Sequence, residues 1–313
     1  MIWTTSRSVA VHREKQINYS QLMSPGRFKG PSFLNWRKIS NINPATFYMN
    51  PSKKPVELER LYKTFNSRKW VHPDPLEYLY GYAEPADMEI VGFIASSLAY
   101  GRVAQILKSV GMVLRKMGPS PSDFIKNAVD SRLHELFAGF RHRFTTGEEL
   151  SAMLLGIKRV LERYGSLNRC MLEGYRSEHD NIIPALSFFM KELTAFCGNS
   201  CNSLMPLPER GSACKRLHLF LRWMIRRDNV DPGGWSGIPA SRLVIPLDTH
   251  MHRICGSIGF SNRNSADIKT ALEITEAFRL VSPDDPVKFD FALTRLGIRS
   301  DTDLEGFLDL LKE

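Results

Sequence analysis

From Val56 to the C-terminus apolar residues recur at helical spacing, and nowhere do they alternate over the length of a strand. A chain written this way must bury each apolar stripe against another helix, so the expected fold class is all-α. The segments 56–65 (VELERLYKTF) and 75–82 (PLEYLYGY) predict short amphipathic helices, with Pro73 and Pro75 bracketing the start of the second. Residues 87–116 are apolar nearly all round and predict one long, central, buried helix. Thr146 and Glu149 form a capping-box pattern before a helix ending near Tyr164. A further helix is expected over IIPALSFFMKELTAF, followed by a loop at 197–212. Helices at 212–227, directly after Asp248, and at 265–282, 286–296 and 303–311 complete the chain. Asp285 with Pro286, and Thr302 with Glu305, supply start signals for the last two.

Length and charge divide the chain. Its 313 residues suffice for one large or two modest domains, and 43% hydrophobic content fits a soluble globular protein. The longest apolar run, near 90–100, is too short to span a bilayer, so no membrane partner is expected. Residues 1–55 hold nine Lys or Arg and the single acid Glu14, a net of +8, with Ser, Asn and Pro clusters and no periodicity. They read as a basic disordered tail without the apolar region of a secretory signal. Met49, just before the first clear helix, allows that part of this stretch precedes the native start, and its Arg- and Ser-rich beginning faintly resembles a transit peptide. Residues 56–313 form the expected folded domain, with 33 basic against 32 acidic residues. The overall charge of +9 is therefore weak evidence for a nucleic-acid partner, and any DNA footprint must be a local patch. Cys170, Cys197, Cys201, Cys214 and Cys255 are odd in number. Only Cys197 and Cys201 are closely spaced, with no second pair to complete a ligand set. They read as reduced thiols of a cytoplasmic protein, with no metal or other cofactor expected.

Candidate chemistry centres on IPLDTHMHRICGSIGF, 245–260. Asp248 follows Pro246 and precedes Met251, Ile254, Cys255 and Ile258, one apolar helical face. That places the carboxylate at a helix N-cap, where backbone N–H groups and the helix dipole favour its charged form. Such a carboxylate suits the stabilisation of a developing positive charge, and it equally serves as a plain structural cap. The helix at 212–227 carries a core stripe of Leu217, Phe220, Leu221 and Met224. Its second stripe is basic, Lys215, Leu219, Arg222, Trp223 and Arg226, which suits either a phosphate backbone or a solvated surface.

Asp248, His250 and His252 make a D-x-H-x-H pattern like an amidohydrolase metal site, but residues two apart face one ligand only on a strand. The helical face after Asp248 and the sixty or so remaining residues argue against it. Ser212 and Lys215 make the S-x-x-K of penicillin-recognising hydrolases, without the companion motifs, since Lys269-Thr270 is followed by Ala271.

The string VIPLDTHMHRICGSIGF resembles the D-T-H-x-x-R segment of helix–hairpin–helix DNA glycosylases, the endonuclease III superfamily. GFIASSLAYGRVAQILKSVGMVL is similar to that family's early buried helix, and FDFALTRLGI to its closing helix. The resemblance implies a two-lobed helical array and a catalytic role for Asp248. It further implies cleavage of the N-glycosidic bond of a damaged base in DNA, with no obligate protein partner. The chain lacks the family's hairpin lysine, carrying DNVDPGGWSGIPASRL there, and lacks its four-cysteine iron–sulfur motif. Archaeal 8-oxoguanine glycosylases place their lysine farther upstream, which nominates Lys215 as nucleophile. The glycine-rich turn is expected to offer N–H groups to a phosphate. Tyr100, Arg102, Trp223, Arg222, Arg226 and His250 are the expected pocket, stacking or phosphate residues. The whole of 56–313 more closely resembles a bacterial family carrying only a domain-of-unknown-function label, through HPDPLEYLY, EIVGFIASSLAYGRVAQI, KRLHLFLRWMIRRDNVDPGGW and LDTHMHR. Two function classes follow: a DNA glycosylase/AP lyase, or a non-catalytic nucleic-acid-binding protein on the same scaffold.

Overall fold

The computed structural model describes residues 53–195, 203–299 and 301–312, all within one compact unit. The expected basic tail lies outside the described residues up to position 52, as does the 197–202 part of the expected loop, with Cys197 and Cys201. The described part is mostly helical. The first helix, α1, spans Lys53–Phe65 and starts three residues before the expected Val56. PLEYLYG forms a 3₁₀ helix, Pro75–Gly81, capped by the Asp74 side chain. α2 (Pro85–Ser97) and α3 (Val103–Met117) replace the single long helix expected over 87–116. The chain breaks at Gly101, whose φ of +95° is left-handed and incompatible with a continuous helix. α2 is the central buried helix, and α3 is amphipathic.

α4 (Pro121–Asn127) and α5 (Asp130–Phe137) lead to a hairpin, β1 (Arg141–His142) and β2 (Thr145–Thr146), paired antiparallel. α6 (Gly147–Tyr164) follows, and its capping box is complete: Thr146 Oγ1 accepts the Glu149 N–H while Glu149 accepts the Thr146 N–H. α7 (Leu167–Gly174) and α8 (Ile183–Thr194) pack together, and both contact α6.

The remaining helices are α9 (Lys215–Ile225), α10 (Thr249–Ser257), α11 (Ile268–Val281), α12 (Asp290–Ile298) and α13 (Leu304–Lys312). α12 begins four residues later than Pro286 suggests, and the Asp285 side chain binds Arg226. At the start of α13 it is Asp303, not Thr302, that accepts the Gly306 N–H; the Thr302 hydroxyl donates to the Leu296 and Arg299 carbonyls. α12 packs on α1 and α10, and α13 on α1.

α9 joins α2 to the segments carrying Asp248 and Asp290. Its Leu217, Phe220, Leu221 and Met224 are buried, and the helix lies close against α2. The approach is at Gly92, where an added Cβ would lie 3.3 Å from Met224 Sδ and 3.4 Å from Phe220 Cε2. The opposite, polar face of α9 meets α10 and α12 through ion pairs. Among the described residues no helix is long and apolar enough to cross a membrane.

Candidate active site

Two segments distant in sequence are held rigidly where they meet. Upstream of Asp248, Leu243, Val244, Ile245 and Leu247 are buried, and the Ile245 N–H donates to Thr275 Oγ1 at 3.0 Å. Downstream, Met251, Ile254 and Cys255 are buried on one face of α10. Asp248 caps that helix, its Oδ1 accepting the Met251 N–H at 2.8 Å. On the other side Lys215 is the first residue of α9, preceded by Cys214, which adopts the left-handed φ of 44°. The Lys215 Nζ lies 3.2 Å from Asp248 Oδ2, with side-chain exposures of 35% and 21%. A carboxylate and an amine thus face each other at the mouths of two helices, within reach of solvent. The two touch directly.

The rest of the polar face of α9 departs from expectation. Arg222 and Arg226 do not present a basic stripe to solvent; both are buried. Arg222 binds Asp231 and Asp290, and Arg226 binds Asp228 at 2.9 Å, Asp285 at 2.9 Å and Asp231. A guanidinium leaving water this completely needs carboxylate partners, and the 228–231 turn and the start of α12 deliver them. Burial opposes the charge on both arginines, but these carboxylates outweigh it and hold both guanidinium groups more firmly protonated than usual. Burial pushes the Asp290 carboxyl up to about 6, against the pull of Arg222. Trp223 is fully buried and its Nε1 has no hydrogen-bond partner, so it packs in the core and offers no stacking face. These three residues hold the α9 platform together instead of touching a ligand. His218, one turn along from Lys215, is also buried, with both ring nitrogens unpartnered; burial pushes its pKa down to about 4.

The glycine-rich turn is likewise committed to the fold. The Gly233 N–H donates to Trp223 O and the Trp235 N–H to Met224 O, so these two groups close the end of α9 rather than awaiting a phosphate. The Trp235 Nε1 donates to Glu89 at 3.0 Å, and the same carboxylate accepts from the Leu167 and Asn168 N–H groups at the start of α7. The D-x-H-x-H residues diverge: His250 is exposed, and the His252 Nε2 contacts the Arg263 carbonyl at 2.7 Å. Among the described residues no group of three or more His, Cys, Asp or Glu is placed to hold a metal ion.

Tyr100 and Arg102 sit at the α2–α3 break, Tyr100 half-buried and Arg102 exposed. The Tyr100 hydroxyl donates to His142 O at 2.9 Å and lies 2.6 Å from Thr145 Oγ1, tying the break to the hairpin. Arg216 joins this group: its guanidinium lies 4.9 Å from the Tyr100 ring centroid, and its Nη1 donates to Ser97 O at 2.6 Å. Among the described residues no carboxylate pairs with it. It was not among the expected residues, although it adjoins Lys215; its position beside Tyr100 depends on how α9 packs against α2. Its Nη2 donates to Ser203 O, so the guanidinium is held between two backbone carbonyls.

No curated protein and no solved structure matches the chain. A family model described as a protein of unknown function, DUF2400, matches residues 74–299, which run from the Asp74 cap through α12 and include Lys215 and Asp248. The match covers most of the chain, and the protein belongs to the DUF2400 family.

Proposed function

We propose that the protein is a DNA glycosylase/AP lyase-like enzyme that cleaves the N-glycosidic bond of a damaged base, with Lys215 as nucleophile and Asp248 as its electrostatic and proton-accepting partner. The observation that carries this reading is the 3.2 Å approach of Lys215 Nζ to Asp248 Oδ2, both partly exposed. The resemblance of the 244–260 segment to helix–hairpin–helix glycosylases supports it.

The chemistry follows from the two groups. An ammonium has no lone pair, so Lys215 must first pass a proton to Asp248. The neutral amine attacks C1′ as the glycosidic bond breaks, and the electron pair of that bond departs with the base, which takes the proton back from Asp248 and so restores the carboxylate. Charge on the sugar peaks in an oxocarbenium-like state, which a carboxylate at this distance stabilises. Asp248 carries one Nζ proton to O4′ as the sugar ring opens, giving a protonated Schiff base between C1′ and Nζ; Asp248 then takes the C2′ proton, and the electron pair of the C3′–O bond leaves with the 3′ phosphate. The target base must leave the duplex stack first. Tyr100 and Arg102, at the α2–α3 break, are the proposed residues near the extruded nucleotide, with His250 on the exposed face of α10.

Borohydride trapping on lesion-bearing or abasic duplexes tests this. The expected result is a covalent protein–DNA adduct that disappears in Lys215→Ala. Binding with neither an adduct nor base release on any lesion overturns the enzymatic reading in favour of a non-catalytic DNA-binding protein; base release without an adduct would assign Asp248 to activating water and Lys215 to holding phosphate. One observation favours that second reading: Lys215 and Asp248 already satisfy each other.

A further inference from the structure

The hairpin between α5 and α6 exposes an aromatic ring where the fold gains nothing from it. Phe144 is 74% exposed, on a two-residue turn between His142 and Thr145. Arg143, the other turn residue, takes a left-handed φ of 53°, a conformation glycine usually supplies. The hairpin is nevertheless held firmly. The buried His142 ring lies edge-on to Tyr100 at 4.7 Å, and its nitrogens contact Ser109 Oγ and Tyr100 O. The Arg143 stem lies over Gly101, where an added Cβ would come within 2.7 Å of its Cδ. The Arg143 guanidinium is 5.3 Å from the Phe144 ring centroid and 5.9 Å from that of Tyr100.

Around this ring the charge is mostly positive. Arg102, Arg141 and Arg143 are exposed, Arg216 stands behind Tyr100, and among the described residues none of the four pairs with a carboxylate. Of the neighbouring acids, Glu149 is occupied by the Thr146 N–H and Ser203 Oγ, leaving Glu148 as the exposed one at the start of α6. A single exposed ring set among cations is too small an apolar area for a stable protein interface, which needs roughly 1,000 Å² or more. It matches a nucleic-acid strand, whose bases offer π faces and whose backbone offers anions at each step.

We propose that the hairpin tip is a nucleic-acid contact in which Phe144 stacks on an unpaired base while Arg143, Arg141 and Arg102 hold the flanking phosphates. The proposal rests on the nucleic-acid part of the reading above and not on the Lys215 chemistry. Through Tyr100 and Arg216 the contact is continuous with the first turn of α9, so a strand held at the hairpin passes toward Lys215.

The test uses the full chain and a duplex containing one unpaired 2-aminopurine, with the fully paired duplex, the bare single strand and anionic lipid vesicles alongside. The wild-type protein is expected to quench the 2-aminopurine and to bind this probe and the single strand more tightly than the paired duplex. Because Phe144 is exposed, Phe144→Ala leaves the core intact; it should lose quenching and about tenfold in affinity for the unpaired base, and Phe144→Trp should restore both. Lys215→Ala and Asp248→Asn should keep the quenching even where the borohydride adduct is lost, so failure of the chemistry and failure of this contact are read separately. Equal affinity of Phe144→Ala and wild type for the probe, no binding to any oligonucleotide, or Phe144-dependent binding to vesicles alone would overturn the proposal.

Discussion

Asp248 divides two duties between its two oxygens, and Asp248→Asn separates them. Oδ1 accepts the Met251 N–H at 2.8 Å, and Oδ2 faces Lys215 Nζ at 3.2 Å. Asparagine keeps an oxygen for the first duty and caps helices about as well as aspartate. It brings no charge to the second. The pair is partly exposed, so screening by water limits its worth to less than about 1 kcal/mol, and Lys215 can be solvated once unpaired. Urea unfolding should therefore place Asp248→Asn within about 1 kcal/mol of wild type. Asp248→Ala, which also loses the cap, should fall about 1 kcal/mol lower. The catalytic consequence is of another size. Removing a preorganised group that stabilises transition-state charge costs about 100-fold or more, roughly 3 kcal/mol of barrier. The assay is the single-turnover rate of borohydride-trapped adduct on a lesion-bearing duplex, measured beside the unfolding curves. An Asp248→Asn protein that is as stable as wild type and traps at the same rate makes Asp248 a helix cap and nothing more. If Asp248→Asn is as unstable as Asp248→Ala, the division of labour between the oxygens is wrong.

Two further perturbations probe the platform beneath the pair. His218 is buried without a partner and its pKa is pushed down to about 4, so the folded protein refuses a proton that the unfolded chain accepts near 6.5. The stability this contributes is present above about pH 6.5 and is lost as pH falls toward 4, about 3 kcal/mol in all. Asp290, pushed up to about 6, acts in the opposite direction, because its folded form holds the proton more tightly and loses stability as pH rises through that value. The difference between wild type and His218→Leu isolates the histidine: the variant's urea midpoint should lose that part of the acid dependence, and parallel pH profiles would refute the assignment. Arg226→Met should destabilise by about 3–5 kcal/mol, since Asp231, Asp228 and Asp285 lose their shared guanidinium, and Arg226→Lys should rescue little because an ammonium cannot reach three carboxylates. A loss below about 1 kcal/mol in denaturant titration would show that the network does not hold α9.

What could be read from residue order alone was whatever local geometry decides. The cap at Asp248 follows from an acid placed three residues before an apolar period, and the Thr146–Glu149 box from two side chains three residues apart. The buried stripe of α9 follows from spacing in the same way. Hydrogen bonds within a turn and burial along one helix depend on neighbours in the chain, so the chain spells them out. Periodicity says that the Arg222–Arg226 face is polar, but not that Asp285 and Asp290, about sixty residues on, would close over it. It reads 87–116 as one helix because no local signal says that the Arg143 stem will lie across Gly101. A two-residue strand leaves no pattern at all, which is why the Phe144 hairpin was invisible. The meeting of Lys215 with Asp248, and the solvent left within reach of both, arise from the packing of α9 between α2 and the segments carrying Asp248 and Asp290, where the contacts that decide the outcome join residues the sequence holds far apart.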